Sequence, residues 1–103
     1  MSYLILIGGV KHMELKDTVN MMLSDDYKQR FIAEYVQISI RRWKLAQVIE
    51  DARNGCCKFN LSSDVPIYFA QIAAMDTYMH ILQKRAADEN IKLPTRKEIM
   101  GWT

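Results

Sequence analysis

Between Ser24 and Gly55 the chain runs SDDYKQRFIAEYVQISIRRWKLAQVIEDARNG, with no proline or glycine before its last residue and with apolar residues recurring at helical spacing. Ser24 is placed to act as N-cap, and Asp25 and Asp26 suit the positive end of the helix dipole. Asn54 and Gly55 tolerate the left-handed conformation that closes a helix, and Arg53 suits its negative end. The pattern predicts one long helix over residues 24–54. Phe31, Tyr35, Ile38, Arg42, Leu45, Ile49 and Ala52 alternate steps of four and three, the seam of a helix packed lengthwise on another. At 100° per residue, Ile32, Val36, Trp43 and Ile40 fall on a second apolar stripe. Arg30, Glu34, Gln37, Arg41 and Lys44 form the remaining polar face. One neighbour cannot cover both stripes, so this helix expects two partners.

A second helix is predicted over 65–89. Asp64 serves as its N-cap, and Pro66 sits in the first turn, where a missing N–H does no harm. Tyr68, Ile72, Met75, Met79, Leu82 and Ala86 repeat the four-three spacing. The two helices therefore pair as an antiparallel hairpin across the loop CCKFNLSSD, burying Phe31, Tyr35, Ile38, Leu45, Ile49, Ile72, Met75, Met79 and Leu82. Ile67, Ala74, Tyr78 and Ile81 make a flanking stripe beside Gln71 and Arg85, and Phe69 with Ala73 occupies the opposite shoulder. Asn90 tolerates the left-handed cap and Pro94 bars continuation. Thr95 and Glu98 have the spacing of a capping box, starting a last turn expected to fray.

Ahead of the hairpin, Leu15, Val19, Met22 and Leu23 predict a short helix over 14–23. Residues 1–12 are expected to be a poorly ordered extension, with Met13 as a second in-frame start. The apolar run Tyr3–Ile7 lacks the charged leader and cleavage site of a signal peptide. The expected organisation is thus an extension (1–12), a hairpin domain (13–93) and a C-terminal tail (94–103). Its fold class is all-α: an antiparallel helical hairpin with a short N-terminal helix, assembling into a helical-bundle oligomer. Self-association is expected because each long helix keeps a second apolar stripe after hairpin pairing, and such patches are uncommon on monomers.

Half of the 103 residues are apolar and a quarter charged, the composition of one small soluble domain. A net charge of +2 is too mild for a general nucleic-acid binder. No apolar run approaches the roughly 18 residues of a membrane span, so the expected place is the host cytoplasm. Cys56 and Cys57 are adjacent, a poor geometry for a disulfide, and are read as reduced thiols. Neither His12 nor His80 stands at metal-ligand spacing to them, and no metal or cofactor is expected.

The segments MMLSDDYKQRFIAEY, IRRWKL, QIAAMDTYM, LQKRA and IKL resemble a family of small phage and prophage proteins of unknown function, named for a crAss-like phage gene product. The resemblance spans Val19–Leu93. Relatives open the second helix with Cys-Pro and close it on Gly, where this chain has Val65-Pro66 and Asn90. They carry Tyr and Glu where this chain has Arg42 and Trp43. The resemblance implies phage origin and supplies no catalytic residue.

The sequence holds no paired carboxylates in a defined cleft, no Gly-rich phosphate loop and no nucleophile with a positioned base, which argues against an enzyme. Asp76 and His80, four apart, read as a solvated helix pair. Arg42 is the outlier, because a guanidinium within an apolar seam must snorkel, pair or meet a ligand. Arg41 and Arg42 beside Trp43 is a combination that holds a phosphate and stacks a base, and also one found at protein interfaces. Two readings follow. The first is a module that sequesters a small anionic host immune signal of the cyclic-nucleotide type; the chain is similar in size, helicity and expected assembly to small phage hairpin oligomers that do so. Its expected ligand site is Arg41, Arg42 and Trp43 of one chain, near their counterparts or near Tyr78 and Arg85 of another. The second is an accessory protein that binds a host or phage protein, or DNA, through spare apolar and basic surface.

Overall fold

The computed structural model describes residues 12–55, 61 and 63–101. Residues 1–11 of the expected 1–12 extension, the thiols Cys56 and Cys57, and most of the interhelical loop lie outside the described residues. Among the described residues all regular structure is helical. A 3-10 turn, Leu15–Thr18, runs into α1 (Val19–Met22), followed by α2 (Tyr27–Arg53), α3 (Val65–Asp88) and α4 (Arg96–Met100). The two long helices α2 and α3 pack on one another as the seam spacing predicts. No helix among the described residues is long and apolar enough to cross a membrane.

α2 starts later than expected, and its N-cap is Asp26 rather than Ser24. The Ser24 hydroxyl accepts from the Asp26 N–H at 3.0 Å, and the Asp26 carboxylate accepts from the Lys28 N–H at 2.9 Å. Two consecutive side-chain turns thus redirect the chain out of α1 before the helix begins, the local competition at which Ser and Asp excel. The other ends follow the sequence. Gly55 takes a φ of +63°, and Asn90 takes +58°. After Asn90, the Ile91 N–H donates to the Ala86 carbonyl at 2.9 Å, with both side chains buried, which is the Schellman closure with its apolar contact.

The core departs from the expected hairpin interior. Phe31, Tyr35, Ile49 and Leu82 are buried, whereas Ile38, Leu45, Ile72, Met75 and Met79 are only partly so. The second stripe of α2, expected to await another chain, is covered within this one: Ile32, Val36 and Ile40 are 4, 0 and 2% exposed. α1 and the preceding 3-10 turn pack on α2, and α4 packs on it as well. Gln37 donates to the Thr18 hydroxyl at 2.9 Å, tying the edge of the polar face to the N-terminal segment. α2 does have two partners, but short elements of its own chain supply the second.

Nor is the last turn frayed. The capping box forms in both directions, with Glu98 N–H to Thr95 Oγ1 at 3.1 Å and Thr95 N–H to Glu98 Oε1 at 2.9 Å. Ile99 is 1% exposed, and its carbonyl accepts from the Met13 N–H at 2.7 Å. Burial of one Ile, about 1.5–3 kcal/mol, anchors a helix too short to stand alone. It also brings both ends of the described chain onto the same part of α2.

Candidate functional site

Docking α4 beside the hairpin encloses a cleft of about 230 Å³. α2 contributes Tyr35, Ser39, Arg42 and Trp43, α3 contributes Asp76, Met79 and Gln83, and α4 contributes Arg96, Ile99 and Met100. Helical periodicity explains the first two sets: positions 35, 39, 42 and 43 share one side of α2, and 76, 79 and 83 share one side of α3.

At the centre of the cleft Arg42 meets Asp76, with Nε to Oδ1 at 2.9 Å and Nη2 to Oδ2 at 3.3 Å. This two-pronged geometry resolves the seam arginine by pairing, with the two side chains 33 and 43% exposed. The hydrogen bond from Arg42 holds the Asp76 carboxyl below its ordinary range; partial burial opposes this, and the charges of Arg42 and His80 reinforce it. Asp76 therefore stays a carboxylate. A guanidinium has five N–H donors, so the two taken by Asp76 leave three, held in a fixed orientation. His80, four residues on, is exposed.

Around this pair the cleft is aromatic and polar. Trp43 is half-buried, and the His12 ring lies against it at 6.0 Å between centroids and 46° between planes. Gln83 donates to the Tyr35 hydroxyl at 2.9 Å, fixing the phenol at the wall. The Ser39 hydroxyl donates to the Tyr35 carbonyl at 2.8 Å. Arg96 adds a second guanidinium from the first turn of α4. Two arginines and one carboxylate thus line the cleft.

Of the five sequence-predicted site residues, the fold brings Arg42 and Trp43 into this cleft. Arg41 is exposed and does not line it. Tyr78 and Arg85 lie outside the lining as well. The Tyr78 hydroxyl donates to Glu34 of α2. The Arg85 guanidinium sits 5.0 Å over the Phe31 ring, donates to the Tyr27 hydroxyl at 3.1 Å and stands 3.5 Å from Glu89. The Tyr27 hydroxyl in turn donates to Glu89 at 2.8 Å, a bond that raises the tyrosine pKa. Within one chain these residues clamp the helices together. Sequence reasoning missed Arg96 and Gln83: Arg96 follows the capping-box Thr95, a signal that marks a helix start but not where that helix docks.

A protein-family model described as Sequestin matches residues 25–88, more than half of the chain, and the chain belongs to that family. The match covers the whole of α2 and α3 and stops short of α4. No curated protein and no solved structure matches.

Proposed function

We propose, from membership of the Sequestin family, that this chain is a phage-encoded, non-enzymatic binding protein. It sequesters a small anionic host immune signal of the cyclic-nucleotide class, in the host cytoplasm and as a homo-oligomer. The family name supports sequestration, and the observation that carries the ligand class is the cleft in which Arg42, Arg96 and Trp43 converge. Arginine donors and an aromatic face are what phosphate oxygens and a base require. At about 230 Å³ the cleft falls just below the roughly 300 Å³ at which drug-sized pockets begin, so it takes one nucleotide unit of a ligand rather than a whole dinucleotide. Asp76 orients Arg42 and offers an acceptor to a ribose hydroxyl or a base amino group.

A panel of cyclic and linear nucleotides in a thermal-shift assay tests this reading, because a ligand that binds the folded state raises the melting point by mass action. At least one nucleotide is expected to stabilise the parent. Hydrogen bonds to charged groups contribute about 1.5–3 kcal/mol each, so Arg42→Ala should weaken binding roughly ten- to a hundred-fold. If no nucleotide binds, a second reading takes its place, favoured by the exposed Ile67, Phe69 and Ile81 of α3: an accessory protein that binds a host or phage protein, or DNA.

A further inference from the structure

The outer face of α3 carries more apolar surface than the fold explains. α3 is the more apolar of the two long helices, yet only Leu82 and Ala86 of its 24 residues are buried, against eight residues in α2. Ile67 and Ile81 are 59 and 52% exposed. Large residues thus stand at the two ends of one helical stripe, seven residues either side of Ala74, with the small Ala70 and Thr77 between.

We infer that this stripe is the two-fold interface between two copies of the chain, with their α3 helices antiparallel and crossing at Ala74. The assignment deepens the self-association proposed above. Three observations favour this occupant and this direction. An antiparallel pair centred on Ala74 sets Ile67 of each copy against Ile81 of the other and lets the small residues meet in the middle, so the profile complements itself. The same register brings Asp64, which makes no side-chain capping bond, to the end of the other helix where Lys84 and Arg85 stand. A parallel pair would put Asp64 beside Asp64 and Lys84 beside Lys84. Antiparallel pairing also opposes the helix dipoles. Lys84 has an exposed partner in Asp88 at 2.9 Å, a contact weak enough for its ammonium to serve both carboxylates.

Asp76, Met79 and Gln83 lie on the opposite side of α3 from Ile67, Ala74 and Ile81, so each copy keeps its own cleft open. The dimer then binds ligand at two independent sites.

Sedimentation of the full chain at high micromolar concentration, with Ile81→Glu alongside, tests the face. The parent should run at twice the 12.0 kDa chain mass, and Ile81→Glu at the single-chain mass with an unchanged helical circular dichroism spectrum. Ala74→Cys, on a background of Cys56→Ser and Cys57→Ser, should give a covalent dimer with a short bismaleimide. A parent that sediments as a monomer overturns self-association itself. A dimer that survives Ile81→Glu and is not cross-linked through position 74 keeps self-association and overturns this face. Neither result bears on nucleotide binding, which the thermal-shift panel reads separately.

Discussion

α2 and α3 look alike in sequence, two amphipathic helices of 27 and 24 residues with matching seams, yet they occupy different positions. α2 is central. The 3-10 turn, α1, α3 and α4 all pack on it, and Phe31, Ile32, Ala33, Tyr35, Val36, Ser39 and Ile40 are buried along one continuous length. Among the described elements α3 packs on α2 alone. A helix surrounded by its own chain is committed to stability, whereas one with a covered side and a bare side has surface left for assembly. The cleft forms where the two meet under α4.

This contrast is tested first by truncation. Leu82→Ala, at the seam, and Ile40→Ala, on the covered second stripe, should each cost about 2–5 kcal/mol in chemical denaturation. Ile81→Ala, on the bare side of α3, should change the stability of the dilute chain by no more than about 0.5 kcal/mol, the range for surface positions. Equal losses at Ile40 and Ile81 would erase the distinction. Ile99→Ala sharpens it: releasing α4 should lower stability by about 2–5 kcal/mol and also abolish ligand binding, because Arg96 leaves with the helix.

A smaller effect concerns the pair in the cleft. The Asp76 pKa is lower folded than unfolded, so the stabilisation from its pairing with Arg42 is fully present above the ordinary carboxylate value of 3.8. It is lost as the pH falls through the lower folded value. Asp76→Asn should flatten that part of the stability–pH curve, measured by urea unfolding between neutral and strongly acidic pH, and leave neutral-pH helicity intact. The smallest effect belongs to the clamp outside the cleft. Arg85→Ala removes the cation–π contact with Phe31 and should cost about 0.5–1 kcal/mol without altering ligand affinity.

Much of the hairpin was legible in the sequence because its signals are local. Gly55 and Asn90 act within a few residues and take the left-handed conformation. α3 starts after Asp64 without a side-chain bond from it, and the seam spacing pairs α2 with α3 though only Phe31, Tyr35, Ile49 and Leu82 of the expected interior are buried. What covers α2 was not legible. The spacing of Leu15, Val19, Met22 and Leu23 and the Thr95–Glu98 capping box mark that α1 and α4 exist, but the place of these helices of four and five residues is set by contacts distant in sequence, such as Gln37 with Thr18 and Met13 with Ile99. A stripe that needs a cover reads the same whether that cover comes from the same chain or another. The cleft was legible in half: Arg42 announced itself by interrupting an apolar seam, and Trp43 by standing beside it. Arg96 gave no such signal, since an arginine in the first turn of a short helix has many ordinary uses. Along its own helix Asp76 has only His80 as a polar neighbour at helical spacing, and it is the register of α3 against α2 that pairs it with Arg42.

Sequestration differs from catalysis and from protein docking in what becomes of the ligand. Purified chain mixed with a cyclic nucleotide that stabilises it, passed through a filter that retains protein, then denatured and filtered again, reads this directly. The nucleotide should vanish from the first filtrate in proportion to the protein added and return chemically unchanged in the second. A nucleotide that stays in the first filtrate, or returns as a different compound, would contradict the account.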